Sequence, residues 1–262
     1  MGPLVFAHRG SSADLPEHTL AAYLRALAEG ADGLECDVRL TRDGHLVCVH
    51  DRRLERTSNG TGLVSARTLA ELEALDFGSW HPGCPPVDGA EPLDESHTRL
   101  LTLGRLLDAV LDAGRPVQLL IETKHPSRYG RDVERRLVTL LRRYGLAEPG
   151  ADDPVRVTVM SFSPLAVRRL HDLAPRLPTV LLMDGLPRWL WPGRLPAGTR
   201  VAAPKVALVR ARPRLVPTLR AAGNQVYVWT VNKPDDLELV LDVGVDGIIT
   251  DRPAHALARL GR

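Results

Sequence analysis

Residues 33–51 read GLECDVRLTRDGHLVCVHD. The first six are strand-like, and strands enclosed in a parallel sheet are usually apolar throughout. Yet Glu35 and Asp37 stand two apart, so in a strand both side chains point to the same side. Residues 41–44, TRDG, have turn chemistry and lead into a second apolar run over 46–50. The two runs therefore read as a hairpin that closes on His50 and Asp51. Like charges side by side on an inward face need a reason, and the rest of the chain supplies the setting for one.

Outward from this stretch, strand and helix alternate. LVFAH (4–8) is strand-like, and a helix follows with Pro16 near its first position and Gly30 just past its end. Leu20, Leu24, Leu27 and Ala28 give that helix an apolar stripe. Residues 52–100 break the rhythm, with a capping box from Thr68 to Glu71 amid Gly, Pro and Asp. This segment reads as an insertion within a single domain spanning 1–262, because it has too few apolar residues for a core of its own. The alternation then resumes with a helix over 102–113, ended by Gly114, and the strand PVQLLIET (116–123). Val133, Leu137, Leu140, Leu141 and Tyr144 stripe the next helix. VRVTVMSF (155–162) is a strand, and Ser163-Pro164 opens a helix. TVLLMD (179–184), RVAAPKV (200–206), QVYVWTVN (225–232) and VDGIIT (245–250) are further strands, with Pro234 and Pro253 near the starts of the last helices. Leaving out the hairpin partner, these are eight strands. Near-continuous apolar runs joined by helices imply a parallel sheet, and eight such units in 262 residues imply an α/β fold closed as a (β/α)8 barrel. An open doubly wound sheet is the alternative, but no G-x-G-x-x-G follows the first strand to support it.

The totals agree. Hydrophobic residues make up 44% and charged residues 25%, as in a soluble globular protein. A formal net charge of +2 argues against a chain that wraps a polyanion, and nine histidines leave that charge sensitive to mild acid. The three cysteines, Cys36, Cys48 and Cys84, have an odd count and no metal-ligand spacing, so no disulfide framework is expected. Cys36 and Cys48 read as small core residues. The start, MGPLVFAHRG, lacks a basic stretch, and its apolar run is too short for a signal peptide. No run reaches the roughly 18 apolar residues of a membrane span, and a cytoplasmic enzyme is the expectation.

In such barrels the active site lies at the C-terminal ends of the strands. Here those ends carry His8 and Arg9, Glu35 and Asp37, His50 and Asp51, Glu122 and Lys124, Ser161, Trp229 and Asn232, and Thr250 and Asp251. Glu35 and Asp37 stand about 6.5–7 Å apart along a strand, and Glu122 adds a third carboxylate at the same level. Converging carboxylates either take up protons or share a cation. Oxygen-only ligands favour one hard divalent cation, Mg²⁺ or Ca²⁺, over a thiolate zinc site. A lone Glu-x-Asp on a strand is more often a salt-bridge partner; the company of Glu122, His8, Arg9, His50 and Lys124 turns the reading toward a metal. Two histidines beside three carboxylates suit acid–base work. Arg9 and Lys124 either neutralise the acids or receive an anionic substrate, most simply a phosphate. The combination describes phosphodiester cleavage.

The chain resembles the glycerophosphodiester phosphodiesterase family over nearly its whole length. The matching motifs are FAHRG (6–10), LPEHT (15–19), LECDVRLTRDGHLVCVHD (34–51), RTSNGTG (56–62), ELEALDFGSW (71–80), IETK (121–124), VMSFSP (159–164), VWTVN (228–232) and GVDGIITDRP (244–253). The resemblance implies a triosephosphate-isomerase-type barrel that hydrolyses glycerophosphodiesters to glycerol 3-phosphate and an alcohol with a divalent cation. It implies Glu35, Asp37 and Glu122 as metal ligands, His8 and His50 as the acid–base pair, Arg9 as a phosphate contact, and Lys124 and Trp229 as substrate-positioning residues. For Trp229 the residues alone suggest only packing. Which histidine is the acid, and whether water or a glycerol hydroxyl attacks, stays open. One departure stands out: the family usually reads P-E-N-T where this chain has Pro16-Glu17-His18-Thr19. His18 keeps hydrogen bonding and can carry charge, so the change bears on phosphate-site geometry and pH dependence. Gly104 is a lesser departure, at a position where an acidic residue is common.

Three rival readings accompany this one. Lysophospholipase D or phosphoinositide cleavage would use the same barrel. Trp189, Leu190 and Trp191, beside Arg188 and Arg194, form an apolar patch that either packs on a helix or meets a lipid surface. A non-enzymatic binder of phosphorylated ligands would not need two titratable imidazoles. VRARPRLVPTLR (209–220) prompts a nucleic-acid reading but has no aromatic stacking platform, and reads as a solvated helix face. The expected partner is a small-molecule glycerophosphodiester, with no nucleic acid and no transmembrane segment.

Overall fold

The computed structural model of the chain describes residues 2–82, 95–150, 152–186, 193–196 and 198–262. Its first elements are β1 (Leu4–His8), α1 (Leu20–Ala28), β2 (Gly33–Leu40) and β3 (Leu46–Cys48), then a 3-10 turn at Val64–Ala66. Next come α2 (Leu69–Glu73), α3 (Glu95–Thr98), α4 (Leu103–Leu111), β4 (Val117–Thr123), α5 (Asp132–Arg143), β5 (Val155–Ser161) and α6 (Pro164–Leu173). The last are β6 (Thr179–Met183), β7 (Val201–Pro204), α7 (Val206–Ala211), α8 (Leu215–Ala221), β8 (Gln225–Val228), α9 (Pro234–Asp242), β9 (Gly247–Thr250) and α10 (Pro253–Arg259).

The sheet runs β1-β9-β8-β7-β6-β5-β4-β2, and a parallel β1–β2 pairing closes it into a ring. The expected eight-stranded parallel barrel is present. β3 lies outside the ring and pairs antiparallel with β2 through Val38↔Cys48, Arg39↔Val47 and Leu40↔Leu46, as the hairpin reading requires.

Side-chain alternation along each strand divides the core in two. Inside the ring, Phe6, Leu120, Val180, Leu182, Tyr227 and Ile249 form one cluster, with the Phe6 and Tyr227 rings 5.2 Å apart. Two glycines make room for these rings. A Cβ on Gly33 would come within 2.6 Å of the Phe6 ring, and one on Gly247 within 2.6 Å of the Tyr227 ring. Outside the ring, the helices cover the opposite strand faces, where Cys36 and Cys48 are buried. Leu54, Val64, Leu72 and Phe77 pack on Val47 and Val49, so the described part of 52–100 rests on the hairpin.

Helix starts follow their caps. α2 has the expected Thr68–Glu71 box, and Pro164, Pro234 and Pro253 stand at the first turns of α6, α9 and α10. The start of α1 differs from the sequence expectation. Thr19, not Pro16, opens the helix, because its hydroxyl accepts from Ala22 N and His18 holds a left-handed φ of 62° that no helix passes through. The basic stretch 209–220 is also not one helix face. It is split between α7 and α8 around Pro213, and Arg210 pairs with Asp236. No described helix is long and apolar enough to cross a membrane. The Trp189–Trp191 patch lies outside the described residues.

Candidate active site

Strand register assembles the acids. Glu35 on β2 is the Cα partner of His8 on β1, and Asp37 is the partner of Glu122 on β4. Alternation turns Glu35 and Asp37 to the same face, and the two are 2% and 1% exposed. Glu35, Asp37 and Glu122 each offer a carboxylate oxygen within 4.8 Å of the others. Two cations face them. Lys124 Nζ lies 2.9 Å from both Asp37 Oδ1 and Glu122 Oε1. Arg9, at a left-handed φ of 58°, brings Nε within 3.1 Å of Asp37 Oδ2 and donates from Nη1 to Glu17 Oε1 at 3.0 Å. Its backbone N–H reaches Glu35 Oε2 at 3.2 Å.

Burial and neighbours set the charge states apart. Burial, then the Asp37 charge, pushes the Glu35 carboxyl well above its usual range. The same two causes raise Glu122 to about 8. For Asp37 burial works in the raising direction, but Lys124, Arg9 and His18 outweigh it and hold the carboxyl well below its usual range. Burial works against the Lys124 and Arg9 charges too, and the surrounding carboxylates outweigh it, so both are raised. The acids thus form a nest in which one carboxylate is fully compensated and two are not.

Each of the two site histidines has a carboxylate at its back. His8 Nδ1 donates to Asp251 Oδ1 at 2.6 Å, and His50 Nδ1 donates to Asp51 Oδ1 at 2.6 Å. These bonds fix the ring tautomers and leave both Nε2 atoms for the site. Asp251 is itself held by Ser12 Oγ and Asn232 Nδ2, and Asp51 by Arg56. Arg56 also donates to both carboxylate oxygens of Glu17, at 2.8 and 2.7 Å. Burial, only partly opposed by Asp37 and reinforced by Arg9 and Lys124, lowers His50 to about 4. His50 is therefore neutral near pH 7.

His18 stands beneath this layer. Its Nε2 donates to Asp37 Oδ2 at 2.9 Å, and its Nδ1 meets the Tyr23 hydroxyl at 2.8 Å. Burial lowers its pKa, against the opposing pull of Asp37. Asp37 fixes the proton of a neutral ring on Nε2, and the Tyr23 hydroxyl proton is shared between His18 Nδ1 and the Glu35 carbonyl, 3.1 Å away. Histidine, like asparagine, is among the residues enriched at left-handed φ, which is the conformation this position requires.

His8, Arg9, Glu35, His50, Glu122 and Lys124 line one side of a 120 Å³ cavity. Met160, Phe162, Leu182, Trp229 and Ile249 line the other. Trp229 Nε1 donates to the Ala203 carbonyl at 2.8 Å, and its ring meets Phe162 edge-on at 5.3 Å. The eight residues predicted as acid–base pair, substrate contacts and metal ligands gather here. Asp37 does so from behind, through Arg9 and Lys124. Sequence reasoning assigned no role to Asp51, Asn232 and Asp251, although it noted them at strand ends, and it passed over Arg56 and Phe162. The RTSNG and MSFSP motifs contained the signal for those two.

The donor set fits a hard divalent cation. It consists only of oxygens, they converge, and two of the three carboxylates lack full compensation from Arg9 and Lys124.

The sequence profile described as "Glycerophosphoryl diester phosphodiesterase family" matches residues 8–255. A Mycobacterium tuberculosis protein named probable glycerophosphodiester phosphodiesterase 1 is 51% identical, over 98% of this chain and 92% of the relative. A glycerophosphodiester phosphodiesterase of Caldanaerobacter subterraneus subsp. tengcongensis is 34% identical, over 97% of this chain and 96% of the relative. Among solved structures, an Oleispira antarctica phosphodiesterase in complex with the product sn-glycerol-3-phosphate superposes with a TM-score of 0.82 at 26% identity, covering 99% of this chain and 97% of the other.

Proposed function

The chain belongs to the glycerophosphoryl diester phosphodiesterase family, and from that premise we propose that it is an enzyme hydrolysing glycerophosphodiesters to glycerol 3-phosphate and an alcohol. The observation that carries this reading is the meeting of two carboxylate-backed imidazoles, a guanidinium and an ammonium on one cavity beside three buried acids. Glu35, Asp37 and Glu122 would hold one divalent cation, Mg²⁺ or Ca²⁺. When bound, it supplies Lewis-acid stabilisation of charge on the phosphoryl oxygens.

The chain's own residues do the rest. Arg9 donates from Nη1 to Glu17, its Nε lies 3.1 Å from Asp37 Oδ2 as an ion pair without a hydrogen bond, and among the described residues Nη2 makes no hydrogen bond to protein. That edge receives a non-bridging phosphate oxygen. Lys124 adds a second cation, kept charged by Asp37 and Glu122. His50, neutral near pH 7, takes the proton of the attacking oxygen at Nε2. His8, backed by Asp251, delivers a proton from Nε2 to the departing alkoxide. The wall of Phe162, Trp229 and Leu182 takes the carbon part of the substrate and excludes water.

The test uses leaving groups. Each of His8→Ala and His50→Ala should lose roughly 10²–10⁴-fold on a glycerophosphodiester. On an activated aryl phosphodiester, which needs no general acid, the His8→Ala loss should shrink sharply while the His50→Ala loss remains. The opposite pattern exchanges the two roles. Near-native turnover of both variants on the glycerophosphodiester removes the acid–base assignment.

A further inference from the structure

A second concavity, with a volume of 680 Å³, lies on the outer side of the β2–β3 turn and shares no lining residue with the catalytic cavity. The turn at Gly44 and His45 forms one wall, Thr102 and Gly104 at the start of α4 a second, and α5 the third. The volume lies within the ~300–1,000 Å³ range of small-molecule sites.

Its charge is unbalanced. Arg136 Nη1 donates to the Gly44 carbonyl at 3.0 Å. A Cβ on Gly44 would stand 2.4 Å from the Arg136 guanidinium carbon, so the glycine seats this cation against bare backbone. A carbonyl partner orients the guanidinium but does not neutralise it. Arg143 lines the same groove seven residues on, about 10 Å farther along the helix. Among the described residues, neither Arg136 nor Arg143 forms an ion pair. The acids of the groove have partners within or beside it: Asp43 accepts from Leu69 N at 3.1 Å and Thr41 Oγ1 at 2.6 Å and lies 3.5 Å from His45 Nδ1, and Asp132 lies 3.3 Å from Arg135, so three lining guanidiniums face two carboxylates.

We infer that this groove binds a small molecule bearing two or more phosphate groups, held by Arg136 and Arg143, with its organic part against Leu69 and Leu140. Two guanidinium forks set one behind the other on a helix match separated phosphates better than a single anion. Enclosure on three sides suits a small molecule. A nucleic acid would need a longer basic track with aromatic stacking residues.

The experiment is calorimetric titration of the full chain with inorganic pyrophosphate and with ATP, free of divalent ions and at fixed ionic strength. The expected result is binding at a site that is weakened tenfold or more in Arg136→Ala/Arg143→Ala. Gly104→Glu, which places a carboxylate in the groove where a Cβ meets nothing closer than the Tyr144 hydroxyl at 3.5 Å, should weaken it likewise. Arg9→Met removes the phosphate contact of the catalytic cavity and should retain the groove site. Three results overturn the inference: no binding by the wild type, binding lost in Arg9→Met but retained in the double variant, or tighter binding of a polyglutamate peptide than of either phosphate. The last would make the groove a docking surface for acidic protein segments.

Discussion

Asp251 Oδ1 lies 2.6 Å from His8 Nδ1, although 243 residues separate the two along the chain. Closure of the ring between β1 and β9, with Ala7 beside Thr250, brings them together. Ser12 and Asn232 hold the carboxylate in place, and its partners keep its pKa below the ordinary range despite burial. Asp251→Asn should therefore leave the fold intact and lower kcat on the order of 10²-fold or more, with KM changed little, because an amide cannot stabilise the charged imidazolium. Steady-state kinetics and circular dichroism decide it; an unchanged kcat would mean that His8 needs no carboxylate behind it.

The three buried acids make a second expectation. Stripping divalent ions with a chelator should abolish turnover, and adding them back should restore it. Binding itself can be read without catalysis. Saturating Mg²⁺ or Ca²⁺ should raise the thermal midpoint of the wild type, by linkage of ion binding to folding, and should not raise that of Glu122→Gln. Equal midpoint shifts in both proteins would remove Glu122 from the ligand set.

Acid stability follows from Glu17. Burial works against its charge, but Arg56, Arg9 and His18 hold its folded value at about 2, below the ordinary 4.5. A depressed carboxyl contributes stability that is fully present above pH 4.5 and is lost as pH falls toward 2. The contribution is on the order of 3 kcal/mol at neutral pH. In urea unfolding, the stability gap between wild type and Glu17→Gln should be widest above about pH 5 and close steadily on acidification. A gap that stays constant with pH would show that the Arg9 and Arg56 contacts do not depend on the Glu17 charge.

His18 offers a fourth. Its ring bonds Asp37 and Tyr23 from a left-handed backbone. His18→Ala loses both bonds and is strained in that conformation, so it should cost about 2–4 kcal/mol. His18→Asn keeps a conformation that asparagine tolerates and one hydrogen-bonding group, and should cost clearly less. Denaturant midpoints rank the two, and equal losses would leave the backbone conformation without weight.

What could be read from the sequence follows from how local each cause is. The inward pair Glu35 and Asp37 is legible because a period of two is visible within one strand. Glu122 and Lys124 follow from placing every strand end at one mouth. The Asp251–His8 bond was beyond sequence reasoning, since only ring closure decides which distant ends meet. Arg56 comes from a stretch with no period, and its partners Asp51 and Glu17 lie 5 and 39 residues away. Pro16 suggests a helix start on composition alone, but the Thr19 hydroxyl and the φ of His18 overrule it.

β3 joins the molecule at the side of the barrel. After Cys48 the strand ends, and His50 is secured by its carbonyl, which accepts from Arg39 Nε and Nη2 at 2.9 and 2.6 Å, while Cys48 N bonds the Leu101 carbonyl at 2.8 Å. One imidazole thus rides on an outrigger and the other on the hull. Grafting between those two moorings would alter the approach to the cavity without touching the strands that carry the three carboxylates.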